Sequence, residues 1–141
     1  MQDIEKYISS GVDVITSGNH IWRHREIFKE GKLIERVLRP GNFPHGTPGK
    51  GYDVFTININ FAQIPICVIN LQGRTFMEAI ENPFVAFNDI YDKIKDRTNI
   101  IIIDFHAEAT SEKKALAYFT NGKASLLFGT HTHVQTSDET I

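Results

Sequence analysis

Two spacings of apolar residues alternate along the chain, one typical of strands and one typical of helices. Short β-branched or wholly apolar runs predict strands, and apolar positions three or four residues apart predict helices. The predicted strands span residues 12–16, 53–59, 64–71, 99–105 and 124–128. The predicted helices span residues 2–10, 24–29, 33–37 and 111–119, with a further helix beginning at Pro83. Strands that alternate with helices are typical of an α/β domain.

Turn residues mark the boundaries of several of these elements. Residues 60–63 separate two β-rich runs and predict a hairpin. Thr110 is the expected N-cap of the helix at 111–119, and Asn121 with Gly122 is its expected stop. Residues 39–51 hold three of the five prolines and four of the ten glycines, which predicts a surface loop within one domain.

The composition excludes several classes of partner. There are 15 Lys and Arg against 17 Asp and Glu, and the formal charge of −2 gives no basic footprint for a nucleic-acid duplex or an anionic membrane. The longest apolar stretch is far short of the roughly 20 residues of a membrane span, and the N-terminus has no apolar signal core. We therefore expect one cytoplasmic domain over residues 1–141.

The only cysteine, Cys67, lies among apolar residues and is expected to be a buried thiol.

Candidate metal ligands follow three of the predicted strands. They are Asn19 with His20, then His106, then the pair His131 and His133. A single histidine in such a place is more often a hydrogen-bonded loop residue, but the carboxyl ends of strands in one α/β sheet meet at one edge, so the joint occurrence indicates a site. In an extended chain His131 and His133 would point the same way. Imidazoles with an amide oxygen suit Fe, Mn or Zn better than Ca or Mg.

Five motifs, in order, cover nearly the whole chain. They are SGNHIW at 17–22, RPGNFPHGTPGKGY at 39–52, NLQGRTF at 70–76, DFHAEATSEK at 104–113 and GTHTHVQT at 129–136. Together they resemble the YmdB-type metallophosphoesterases of the calcineurin-like superfamily. The resemblance implies a sandwich of two β-sheets flanked by helices.

The resemblance also implies an activity and a set of roles. It implies a dinuclear centre of Fe or Mn, with Zn as a further option, and phosphodiesterase activity on cyclic nucleotides such as 2′,3′-cyclic AMP. Asn19, His106 and His131 would hold one metal, and His133 would belong to the other. His20 would be the proton donor beside the site. Arg74 could contact a substrate phosphate, although a solvated surface arginine is an equally good interpretation.

The sequence departs from the family pattern at both ends. The family begins with a strand ending in Asp and a Gly-Glu-Asn segment, whereas this chain begins MQDIEKYISS and stops before a further strand and a Gly-rich segment. The expectation is therefore an incomplete calcineurin-like sandwich over residues 1–141, lacking the first strands and the C-terminal strand region. Its exposed sheet edge favours a homo-oligomer.

The Asp and Glu of the family's first strands, which this sequence lacks, bear on the expected function. Without a bridging carboxylate, one metal or fewer per chain and impaired turnover are expected. The alternative is a non-enzymatic module that binds a single metal or a nucleotide and has a regulatory role. Two acidic residues flank His106: Asp104 could orient it, and Glu108 is interpreted as a structural carboxylate at a helix start.

Overall fold

The structure is a computed structural model that describes residues 2–23 and 31–141. The α-helices of this part are α1 (Gln2–Ser9), α2 (Pro83–Ile94) and α3 (Thr110–Thr120). The strands are β1 (Ile15–Thr16), β2 (Val37–Leu38), β3 (Tyr52–Ile59), β4 (Ala62–Gln72), β5 (Ile101–Ala107) and β6 (Leu126–His131). The helix predicted at residues 24–29 lies outside the described residues.

The strands form two sheets, which confirms the α/β prediction. The larger sheet has the order β3-β4-β5-β6, with β3 and β4 antiparallel and the neighbours β4, β5 and β6 parallel. The smaller sheet pairs β1 with β2 in parallel. Helix α2 contacts β4 and helix α3 contacts β5, so helices flank the larger sheet.

The hairpin and the central strand follow the sequence predictions. Asn60 and Phe61 form the turn between β3 and β4, and both have left-handed φ angles, of 47° and 66°. Strand β5 lies between β4 and β6, and most of its side chains are buried, as predicted for an apolar run within a covered sheet. The stop of α3 is also confirmed, with Asn121 as the C-cap and Gly122 at φ 77°.

Several predicted boundaries are wrong. The strands predicted at 64–71 and 99–105 span Ala62–Gln72 and Ile101–Ala107. The strand predicted at 12–16 contains only Ile15 and Thr16, because β2 offers just two pairing residues. Residues 31–36 form a 3₁₀ helix and Val37 belongs to β2, where a helix was predicted at 33–37. Strand β6 begins two residues later than predicted and continues through His131, because pairing with β5 extends to Ala107.

The predicted N-cap of α3 is wrong as well. Thr110 is the first helical residue, and Ala109 occupies the cap position without a side-chain hydrogen bond. The helix begins one residue earlier than the capping pattern requires. Glu112, in the first turn, instead directs its carboxylate to the backbone of the neighbouring loop at Arg74 and Thr75.

The core lies between the larger sheet and its helices. Phe87, Ile90 and Ile94 of α2 pack with apolar residues of β4 and β5, and Leu116 of α3 joins the same cluster. Cys67 is buried in this core, as predicted, and burial raises the pKa of its thiol to about 12. Over residues 2–23 and 31–141, no helix combines the length and hydrophobicity needed to cross a membrane.

The side chain of Asn42 fixes the carboxyl end of β4. Its Oδ1 accepts from the backbone N–H of Gln72 at 2.8 Å, and its Nδ2 donates to the carbonyls of Gln72 and Glu81 at 2.7 and 2.9 Å. Asn42 is fully buried, so water does not replace these bonds when they are lost. The proline- and glycine-rich loop is thereby joined to the strand that borders the candidate site.

Replacing Asn42 should destabilise the chain strongly. Asn42→Ala leaves buried backbone groups of Gln72 without partners, so we expect the free energy of unfolding to fall by about 3 kcal/mol. Urea denaturation measures this change. The matched control is Asn88→Ala, because the exposed Asn88 only accepts a 3.5 Å bond from Lys123. Equal effects of the two substitutions would contradict the assigned role of Asn42.

Candidate metal centre

The parallel register of β4, β5 and β6 brings three strand ends together. Gln72 lies opposite His106, and His106 lies opposite Thr130. The segment after β1 reaches the same edge, because Nδ2 of the buried Asn70 donates to the carbonyl of Ser17 at 2.6 Å. The loops that carry the predicted ligands therefore meet at one place.

Three of the predicted ligands are in direct contact. Nε2 of His106 lies 3.1 Å from Oδ1 of Asn19 and 3.1 Å from Nδ1 of His131. The two imidazole rings meet edge to face, with centroids 4.8 Å apart. One nitrogen of His106 thus stands at the centre of a cluster drawn from residues 19, 106 and 131.

A chain of hydrogen bonds sets the tautomer of His106. The hydroxyl of Thr130 donates to Oδ1 of the buried Asp104 at 2.7 Å, so its oxygen is left to accept from Nδ1 of His106 at 3.1 Å. His106 therefore carries its proton on Nδ1, and the lone pair of Nε2 faces the cluster. Burial raises the pKa of Asp104, and side-chain hydrogen bonds with Thr16 and Thr130 act against that rise.

Asn19 presents an oxygen to the same nitrogen. Its Nδ2 donates to Oε1 of Glu78 at 3.4 Å, which directs Oδ1 towards His106. An amide oxygen and an unprotonated imidazole nitrogen are both acceptors, so they form no hydrogen bond with each other. A cation between them would satisfy both lone pairs.

The donor set fits a divalent transition metal. Ligand atoms about 2.1 Å from one ion and at right angles to each other lie about 3.0 Å apart, close to the 3.1 Å separations here. Two buried oxygens at the end of β4, Oδ1 of Asn70 and Oε1 of Gln72, have no hydrogen-bond partner among the described residues. In the same part of the chain, no three His, Cys, Asp or Glu residues form a metal-binding group, so the third donor of this cluster is the amide of Asn19.

The remaining predicted site residues lie around the cluster. His20 directly follows Asn19, and His133 lies two residues after His131. Both are exposed, and their charges lower the pKa of His106. Arg74 is exposed, and its backbone N–H donates to the carboxylate of Glu112. The prediction of an extended chain at residues 131–133 is wrong: φ is 97° at His131 and 55° at His133, because the backbone turns as β6 ends.

Two acidic residues of the site escaped the sequence analysis. Glu108 was interpreted as a structural carboxylate, but its Oε2 lies 3.1 Å from Nε2 of His131. Its position directly after the end of β5, at the sheet edge where the predicted ligands meet, was a usable signal. Glu78 bonds to Asn19 and to Gln72 from an irregular loop, for which the sequence carries no comparable signal.

Electrostatics keep His106 neutral. Burial is the largest of the effects that lower the pKa of His106 to about 4, followed by the charges of His131, His20, Lys113 and His133. A neutral imidazole is the form that binds a metal. The Nε2 lone pair of His106 is therefore available to a cation throughout the neutral range.

The comparisons with known proteins cover the whole chain. The family described as YmdB-like protein matches residues 1–141. The 2′,3′-cyclic-nucleotide 2′-phosphodiesterase of Bacillus subtilis (strain 168) is 49% identical over 134 residues, which is 95% of this chain and 49% of that protein. The chain thus spans about half the length of the curated relatives that it matches.

Two solved structures share the fold. A hypothetical protein from Thermus thermophilus superposes with a TM-score of 0.85 at 37% identity, covering 99% of this chain and 52% of that one. A phosphatase from Mycoplasma pneumoniae superposes with a TM-score of 0.82 at 31% identity, covering 98% of this chain and 49% of that one. The described fold is therefore that of a phosphatase family.

The lowered pKa of His106 gives a first test of this site. In the metal-free chain, NMR titration should give His106 a pKa near 4. The unfolded chain, with a histidine pKa near 6.5, then binds more protons between pH 6.5 and 4, so stability falls as the pH falls through that window. His106→Gln should show a smaller fall in urea denaturation. Titration of His106 above pH 6.5 would contradict the assigned environment.

The close approach of Gly18 to His106 gives a second test. A Cβ at Gly18 would lie 2.2 Å from Cε1 of His106, so Gly18→Ala must displace the ring. We expect Mn²⁺ binding, followed by electron paramagnetic resonance, to weaken at least about tenfold, as when a metal ligand loses its support. The control is Gly129→Ala, whose Cβ meets only the flexible side chain of Lys113. If both variants bind Mn²⁺ like the unchanged chain, the ring does not hold the metal.

Proposed function

This chain belongs to the YmdB-like family, and we propose that it carries metal-binding side chains of a phosphodiesterase site for cyclic nucleotides such as 2′,3′-cyclic AMP. The contact of His106 Nε2 with Asn19 Oδ1 and His131 Nδ1 supports this proposal, because it sets acceptor atoms face to face. The similarity to the phosphodiesterase of Bacillus subtilis supports the substrate class.

In this proposal Asn19, His106 and His131 hold one metal, which is Fe or Mn, and His133 belongs to a second. Bound divalent metals supply Lewis-acid polarisation of the phosphoryl group and neutralise the charge that builds on its oxygens. Thr130 and Asp104 keep the Nε2 lone pair of His106 directed at the metal position. Glu108 orients His131 from its other nitrogen.

His20 is the proposed proton donor. It directly follows the ligand Asn19, it is exposed, and imidazole is the side-chain group that ordinarily exchanges protons near neutrality. A water oxygen would bond to phosphorus as the bond from phosphorus to the ribose 2′-oxygen breaks, and protonation of that 2′-oxygen would yield a 3′-nucleotide. Cleavage at the 2′-oxygen is the reaction in the name of the relative from Bacillus subtilis.

Arg74 is the proposed phosphate contact. Within residues 2–23 and 31–141 its guanidinium makes no hydrogen bond or ion pair, although its backbone N–H is held by Glu112. The side chain lines an open cavity of about 310 Å³ with Thr75, Asn82, Phe84 and others. An unpaired guanidinium suits bidentate contact with phosphate oxygens.

A second candidate is a single-metal or nucleotide-binding module without turnover. It is favoured by the donor set, since the direct contacts of His106 Nε2 supply two imidazoles and one amide and no bridging carboxylate. Elemental analysis and a turnover assay separate the two candidates. In the presence of Mn²⁺, formation of 3′-AMP from 2′,3′-cyclic AMP supports the enzyme, whereas one bound metal with nucleotide binding and no product supports the module.

Substitution of two histidines tests the division of roles. His131→Ala should abolish Mn²⁺ binding and turnover together, because a ligand is lost. His20→Ala should leave Mn²⁺ binding unchanged and lower kcat by about 10² to 10⁴, the usual contribution of general acid catalysis. His45→Ala, in an exposed loop, is the control. Loss of the metal in His20→Ala would make His20 a ligand, and full turnover in both variants would end the phosphoesterase proposal.

A further inference from the structure

One aromatic side chain beside the candidate metal centre is exposed and strained. Phe76 is 87% exposed, and its φ is 62°, a left-handed value that bulky residues rarely adopt. Both features cost free energy, one by leaving a large apolar ring in water and the other by backbone strain. Strain of this kind persists only where the surrounding structure imposes it, and it is concentrated at binding sites.

The surrounding contacts impose that conformation from both sides. Before Phe76, the backbone N–H groups of Arg74 and Thr75 donate to the carboxylate of Glu112 at 3.0 to 3.1 Å. After it, the N–H of Met77 donates to the carbonyl of Arg74 at 3.2 Å, and Glu78 bonds to Asn19. The backbone at Phe76 is therefore fixed by a closed turn, and its ring is exposed.

The turn begins and ends at the metal centre. The N–H of Gly73, where it begins, donates to the carbonyl of His106 at 3.0 Å. Glu78, where it ends, accepts from the ligand Asn19 at 3.4 Å. Since consecutive Cα atoms are about 3.8 Å apart, Phe76 lies within about 8 Å of Glu78 along the chain. Arg74, whose guanidinium has no partner in the part of the chain that the structure describes, lies two residues before Phe76.

From this arrangement we propose that Phe76 stacks against the nucleobase of the nucleotide bound at the metal centre. The inference rests on the proposed function and adds a base subsite to it. Every nucleobase has a π-face, so an exposed phenyl ring contributes affinity with little preference among bases. Arg74, two residues before Phe76, would hold the phosphate while Phe76 holds the base. The strained turn fixes the ring before the ligand arrives, which lowers the entropic cost of binding.

The chain contains a matched control. Phe61 is also fully exposed and left-handed, with φ 66°, but it lies in the turn between β3 and β4. Strand β4 runs from Ala62 to Gln72, so about 30 Å of extended chain separates Phe61 from the end that borders His106. Substituting Phe61 changes exposed aromatic surface without touching the candidate site.

The experiment compares two ligands on the Mn²⁺-loaded chain by isothermal titration calorimetry. The ligands are 3′-AMP and ribose 3-phosphate, which differ by the base. The unchanged chain should bind 3′-AMP more tightly, and Phe76→Ala should weaken 3′-AMP about 5-fold to 100-fold while leaving ribose 3-phosphate unchanged. Phe76→Tyr should retain the preference for the nucleotide. Phe61→Ala should alter neither affinity.

Three outcomes would overturn the base subsite and leave the phosphodiesterase proposal standing. These are equal affinities of the unchanged chain for the two ligands, a preference that survives in Phe76→Ala, and equal weakening of both ligands in that variant. The last would make Phe76 a structural residue of the turn or part of a protein interface. If the unchanged chain binds neither ligand and forms no product from 2′,3′-cyclic AMP, the proposed function is wrong and the subsite is wrong with it.

Discussion

The in-register parallel pairing of β4, β5 and β6 is the constraint on which the site depends. It sets Gln72, His106 and Thr130 side by side at one edge of the sheet. A slip of one residue between β5 and β6 would turn the Thr130 hydroxyl to the other face and remove the acceptor of the His106 Nδ1 proton. The tautomer of His106, and with it the direction of the Nε2 lone pair, is thus a consequence of strand register.

The buried carboxylate of Asp104 also holds this arrangement of strands in place. Asp104 is 3% exposed, and it is bonded to Thr130 of β6 and to Thr16 of the smaller sheet. Burying a carboxylate is unfavourable unless hydrogen bonds compensate for the lost water, and these hydroxyls supply part of that compensation. The two partners belong to different sheets, so Asp104 connects the sheets, and Thr130 connects Asp104 to the imidazole of His106. Asp104 thus positions His106 through Thr130 and also joins the two sheets.

The hydrophobic periodicity of the sequence and the residues that follow its predicted strands predicted much of the candidate site. The predictions that failed concern the local conformation of the backbone. The apolar run of β5 predicted a central strand that leads to His106, because burial on both faces leaves a clear signal in the sequence, but the strand continues through His106 to Ala107. The capping prediction at Thr110 failed because α3 begins one residue early. The prediction of an extended chain at residues 131–133 failed because His131 and His133 have left-handed φ angles. Phe76 and Glu78 escaped notice because tertiary contacts alone shape their loop.

The burial of Cys67 has a consequence for the chemistry of the whole chain. It is the only cysteine in the sequence, and with a thiol pKa of about 12 it has almost no thiolate at neutral pH. Oxidants and alkylating reagents attack the thiolate, so this residue does not react while the fold is intact. Oxidative inactivation of the native chain would therefore not arise from a disulfide or a sulfenic acid. Thiol reductants would then find no oxidised cysteine to reduce in the native chain.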